Sequence, residues 1–198
     1  MPRLLIATKN AHKTAEIRAI LGDAWEITDL TAHPEVPAPD ETGTTFEENA
    51  RIKAEAASLV FPGVVLSDDS GLEVDALGGD PGVHSAIYAG THGDNAANRA
   101  RLMRELLACG APQPWRARFR CTMAIAQVGR TLGVCDGRVE GRVIAEASGA
   151  GGFGYDVMFI PDGHSETFGE LPPDVKNVLS HRARALAKAV EFLRTHAH

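Results

Sequence analysis

Apolar residues run together in "RLLIAT", residues 3–8, a stretch of strand length. From Asn10 to Gly22 the spacing turns helical. Ala15, Ala19 and Ile20 are expected on one face, Asn10 as the cap and Gly22 as the stop. "WEITDL" reads as a second strand, and the proline-rich "HPEVPAPDETG" as a loop. "TTFEENARIKAEAASLV" predicts a helix with Thr44 and Glu47 at capping-box spacing. "GVVLSD" has the length and branching of a buried strand, expected to end at Asp68-Asp69 and turn at Ser70-Gly71. Asp94 caps a helix over "DNAANRARLMRELLAC".

In the second half, "ARFRCTMAIAQV" alternates and then runs together, as one long strand. "TLGVCDGRVEGRVIAE" predicts a hairpin or meander turning at Asp136-Gly137, and "DVMFIP" a short strand. Residues 174–197 predict one long helix with Val175, Leu179, Leu186, Val190 and Leu193 along one side. Helices alternate with strands first and strands cluster later, which indicates a mixed α/β chain. Nothing marks an inter-domain linker, so residues 1–198 are expected to form a single domain.

The chain has 198 residues, 44% of them hydrophobic, which is enough for a sizeable core. The net charge of −6 argues against a groove for polymeric nucleic acid, while leaving room for a small anion. Three scattered cysteines with no C-x-x-C pair indicate neither a disulfide framework nor structural zinc, and they fit a reducing cytoplasm. Neither a signal peptide nor a membrane span is expected.

Five clusters could carry chemistry. Asp68 and Asp69 are adjacent carboxylates that would repel unless a cation, such as Mg²⁺, lay between them. The small-residue turn Ala7–Lys13 opens a helix, where backbone N–H groups and the Lys13 ammonium could hold an anion. Glu41 lies in the loop before a helix that carries Lys53. Gly149, Gly151 and Gly154 have G-x-G-x-x-G spacing, but a strand follows them, which excludes a dinucleotide turn. Phe153 and Tyr155 in that loop offer flat faces. Lys176, His181 and Arg182 supply donors on the last helix. Each cluster also has an ordinary reading, as a solvated turn, a capped helix, core aromatics or a charged face. Together they match what a nucleoside triphosphate requires.

In sequence order, "IATKNAHKTAEI", "ETGTTFEENARIKAEAA", "LSDDSGLEVDALGGDPGVHSA", "GAGGFGYDVMFIPDG" and "KNVLSHRARAL" resemble the inosine triphosphate pyrophosphatase family. The resemblance implies a long mixed β-sheet flanked by helices, in two lobes with a nucleotide cleft between them, and a cytoplasmic homodimer. It implies Mg²⁺-dependent hydrolysis of ITP, dITP and XTP to the monophosphate and pyrophosphate. Thr8, Lys9, Asn10, Ala11, His12 and Lys13 would hold the phosphates, and Ser70 and Lys53 would line their path. Glu41 and Asp69 would bind Mg²⁺, with Asp68 a further candidate ligand and Asp69 the catalytic acceptor. Phe153, Gly154, Tyr155 and Asp156 would hold base and sugar, and Lys176, His181 and Arg182 would contact the base, His181 or Arg182 donating to its 6-oxo group. Lys9 and His12 stand where this family often has glycines, which requires a negative φ at both. The alternatives are a pyrophosphatase for pyrimidine or modified nucleotides on a related fold, and a nucleotide-binding module without turnover.

Overall fold

The computed structural model describes residues 3–196; residue 197 of the expected last helix lies outside them. Six strands form one mixed sheet in the order β2-β1-β3-β4-β5-β6. They are β1 (Arg3–Ile6), β2 (Glu26–Asp29), β3 (Val64–Val74), β4 (Trp115–Gln127), β5 (Arg130–Val143) and β6 (Phe159–Pro161). The helices are α1 (Ala11–Leu21), α2 (Phe46–Ser58), α3 (Asn95–Ala108), α4 (Pro173–Leu179) and α5 (His181–His196). The chain divides into two compact units. One comprises Met1–Asp69, Cys121–Gly137 and Arg182–His198, the other Ser70–Arg120 and Arg138–His181.

In the first unit β1 pairs in parallel with both β2 and β3. Leu4, Ile6 and Leu66 pack with Ile17 of α1 and with Ala185, Leu186, Ala189 and Leu193 of α5. The intervening Leu5 and Val65 pack with Ala57 of α2. Strand alternation thus covers both faces with helices, which is why these strands read as continuous apolar runs. Ala50 and Ala54 meet Ala124 and Ala126, small residues that let α2 lie close to β4.

The second unit has a single core. Leu102 and Leu106 of α3 pack with Leu72, Val74, Trp115, Ala117, Phe119, Val139, Val143 and Phe159. The alternate positions carry Glu73, Arg118 and Glu140, with Arg118 pairing to both carboxylates.

Several expectations need correction. β3 does not end at Asp69; it runs through Ser70-Gly71 to Val74. The capping box is Thr45 with Glu48, one residue later than the predicted pair. Nothing turns at Asp136-Gly137, because β5 continues to Val143. The turn lies at Val128-Gly129, both at positive φ, as a two-residue turn between twisted strands requires. Ala15 and Ala19 are exposed, and α1 buries Thr14 and Ile17 instead. The last helix is two helices, broken at Ser180, whose ψ of 161° is extended. Asn10, Gly22 and Asp94 cap as expected.

Candidate active site

In the first unit, α1, α2, β3 and α5 bring charged side chains together. The strand period of two sends Asp68 and Asp69 to opposite faces. Asp69 lies on the same side as Ser67, whose hydroxyl donates to Ala50 O of α2 at 2.6 Å. From α2, Lys53 Nζ donates to Asp69 Oδ1 at 2.7 Å and to Asp68 O at 3.0 Å, and it lies 3.3 Å from Glu41 Oε2. Asp69 Oδ2 is buried with no hydrogen-bond partner. Burial pushes the Asp69 pKa up to about 6; Lys53 and Lys13 oppose the rise and Glu41 adds to it. For Glu41 burial is the largest influence and acts upward, but Lys53, Asp69 and Lys13 together outweigh it and the net direction is down.

Asp68 has different surroundings. Lys13 Nζ donates to its Oδ1 at 2.5 Å, Arg182 Nε to its Oδ2 at 2.8 Å, and the Cys121 thiol to Oδ2 at 3.2 Å. Burial alone would raise its pKa, but Arg182 and Lys13 hold it well below the usual carboxylate range. Asp68 thus pairs with cations and a thiol on its own face, while Asp69 on the other face keeps an oxygen without a partner.

The turn Thr8–Lys13 also differs from the expected set of open N–H groups. Asn10 Oδ1 accepts from His12 N at 3.0 Å and Lys13 N at 3.2 Å, and Thr8 Oγ1 accepts from Asn10 N at 3.1 Å. Ala11 is exposed at the first position of α1. Lys9 and His12 are exposed too, and neither has a positive φ, so side chains are accommodated where glycine is usual.

In the second unit, Ser70 follows Asp69 within β3. Asp156 Oδ2 accepts from Phe153 N at 2.8 Å and from buried Lys176 Nζ at 2.6 Å. The Lys176 ammonium lies 5.1 Å from the Phe153 ring centroid, within cation–π range. Gly152 has φ +68°, and a Cβ there would lie 2.2 Å from Asp156 Oδ2. Gly154 O accepts from Arg99 at 2.8 Å. Tyr155 is a core residue whose hydroxyl donates to Ser85 O, so its ring is not an open face. His181 is buried and stacks on Phe119 at 4.8 Å.

His181 and Arg182 are therefore not a paired donor set. Arg182 is 1% exposed, and besides Asp68 it reaches Glu16 Oε2 at 2.5 Å. Sequence reading missed Glu16 and Cys121. The Lys13-x-x-Glu16 spacing, one face of a helix, was the available signal for Glu16.

A divalent cation fits beside Asp69. Its Oδ2 is a buried carboxylate oxygen without a partner, and Glu41 is a second hard oxygen donor next to it. Among the described residues no three His, Cys, Asp or Glu side chains cluster as a metal site. Mg²⁺ suits such a place, since it commonly takes one or two carboxylates and completes its shell with phosphate and water.

The chain matches the Ham1 family over residues 4–192. It is 47% identical over 193 residues to the dITP/XTP pyrophosphatase of Geobacillus kaustophilus, covering 96% of this chain and 94% of that one. It is 45% identical to the dITP/XTP pyrophosphatase of Leifsonia xyli, covering 98% and 96%. Among solved structures, a HAM1 protein from Coxiella burnetii superposes with TM-score 0.87 at 36% identity, covering 98% of this chain and all of that one.

Proposed function

We propose, starting from the fact that this chain belongs to the Ham1 family, that it hydrolyses non-standard purine nucleoside triphosphates, of the ITP, dITP and XTP type, to the monophosphate and pyrophosphate. The observation that carries the chemistry is Asp69: a buried carboxylate with one oxygen on Lys53 and the other unpartnered, beside Glu41.

Glu41 and Asp69 are the residues to hold Mg²⁺, which when bound would neutralise phosphate charge and polarise a water. Lys13 and Lys53 offset charge on the leaving pyrophosphate, and their donors already converge on Asp68 O. Asp69, whose second carboxylate oxygen is unpartnered, accepts the proton of the attacking water. Thr8–Lys13 and Ser70 contribute phosphate contacts. Phe153 stacks on the base, its loop fixed by Asp156, and Lys176 holds Asp156 in place. Because Arg182 is committed elsewhere, base reading falls to the backbone of residues 149–156 and to His181. A homodimer in the cytoplasm completes the proposal; among the described residues no helix is long and apolar enough to cross a membrane.

The test is pyrophosphate release, with and without Mg²⁺, from ITP, dITP, XTP, GTP, ATP and dTTP side by side. ITP is expected to give IMP and pyrophosphate in one step. IDP with orthophosphate would rule out the assignment of the bond, and a preference for dTTP would favour the pyrimidine alternative.

A further inference from the structure

We infer that Glu16 and Arg182 are positioning residues that fix Lys13 for the triphosphate, acting through Asp68. The inference rests on the phosphate role of Lys13 proposed above. Four side chains of the first unit form a row, Lys13–Asp68–Arg182–Glu16, joined by contacts of 2.5, 2.8 and 2.5 Å. The row holds two cations and two anions, so it is neutral, and its two middle members are 0% and 1% exposed. Buried charges persist only when paired in this way.

The geometry says which member is rigid. A lysine ammonium on a four-carbon stem goes where its acceptors are, whereas a guanidinium is a planar fork with fixed donor directions. Lys13 takes its place from Asp68 Oδ1 and Asp68 O. Asp68 in turn is oriented by the Arg182 Nε, with the Nη2 at 3.5 Å from Oδ1. The far edge of the fork, Nη1, is anchored by Glu16. Lys13 and Glu16 sit three residues apart on α1, so one short helix supplies both ends of the row. When phosphate draws on Lys13, Asp68 remains neutralised by Arg182, and Arg182 remains balanced by Glu16. Cys121 adds a thiol donor to Asp68 Oδ2 at 3.2 Å and narrows its rotation further.

The test is a double-mutant cycle on ITP turnover with Mg²⁺, measuring kcat and KM for the unchanged protein, Glu16→Gln, Lys13→Ala and the pair. Glu16→Gln is expected to lower kcat/KM on the order of tenfold, chiefly through kcat, a normal size for coupling within one network. In the Lys13→Ala background the same change should cost less than about twofold, because the residue it acts through is gone. Equal losses in both backgrounds, or no loss in either, would overturn the inference. If Glu16→Gln does not fold, Glu16→Asp replaces it in the same cycle under the same criterion. An unchanged protein that turns over no nucleotide sinks the phosphate reading and this inference with it. An active protein with an uncoupled cycle sinks the inference alone.

Discussion

Replacing Asp69 by Asn should make the metal-free protein more stable at neutral pH while sharply slowing its chemistry. The Asp69 side chain is 8% exposed, and burial raises its pKa from 3.8 to about 6. A folded-state value above the unfolded one means the folded protein binds this proton more tightly. The group's contribution to stability is then fully present below about pH 3.8 and is lost as pH rises through about 6. The gap from 3.8 to about 6 is about 2.2 units, or ~3 kcal/mol at about 1.4 kcal/mol per unit. Asparagine has the shape of the protonated acid and keeps a carbonyl oxygen for Lys53, so it should recover about 1–3 kcal/mol at pH 8. For a chain of this length that is a rise in Tm of roughly 2–10 °C.

The assay is thermal unfolding in a chelator at pH 4, 6 and 8. The variant should melt above the unchanged protein at pH 8, and the two should converge by pH 4, where both carry a neutral group. Adding Mg²⁺ at pH 8 should raise the Tm of the unchanged protein more than that of the variant, because the cation balances a charge that only aspartate carries. A variant less stable at pH 8 in chelator, or a gap that does not close on acidification, would refute the reasoning.

The same substitution should lower kcat on ITP by about 10²–10⁴-fold at saturating Mg²⁺, the usual size of a lost acid–base contribution, as read by pyrophosphate release. Arg182→Ala should cost about 3–5 kcal/mol in urea unfolding, because it leaves the buried Asp68 carboxylate short of its main partner. Gly152→Ala should raise KM for ITP at least about tenfold with a smaller change in kcat, since a Cβ at φ +68° runs into Asp156 and dislodges the Phe153 loop. An unchanged KM would show that this loop does not touch the nucleotide.

The fold was legible where local patterns act alone. Asn10, Gly22 and Asp94 cap because short polar or glycine residues flank periodic runs, a signal contained within a few positions. The break at Ser180 was not legible, because 174–197 keeps helical spacing throughout. What interrupts it is tertiary: His181 stacks on Phe119 while Arg182 enters the charged row with Asp68 and Glu16. The face of α1 was misjudged for the same reason. Ala15 and Ala19 are the apolar-looking positions, yet the helix turns Lys13 and Glu16 toward Asp68 and Arg182 and leaves the alanines exposed. Ile17 and Ile20 pack on that same inward side, so the larger apolar residues together with the charged pair set the face rather than the alanines.

β4 shows how much one strand can declare. From Trp115 to Arg120 buried residues alternate with arginines, and from Cys121 to Ala126 every position is buried. The change falls where the chain passes from the second unit to the first. A strand with one open face alternates; a strand covered on both faces does not. The twelve letters "ARFRCTMAIAQV" carry that switch openly.

The same period of two explains the adjacent aspartates. Neighbours in a strand point to opposite faces, so identical residues meet unrelated surroundings. Asp68 meets Arg182, Lys13 and a thiol, and it is held ionised. Asp69 meets Lys53 and another carboxylate, and its pKa rises to about 6. When environments drive two like groups apart in this way, their roles separate too. The group held ionised between cations is suited to orienting others. The group with an unpartnered oxygen and a pKa near neutrality can take up a proton or a cation. Two aspartates in a loop would share one solvent and divide no labour. Set side by side in a buried strand, they divide it through the alternation of the backbone alone.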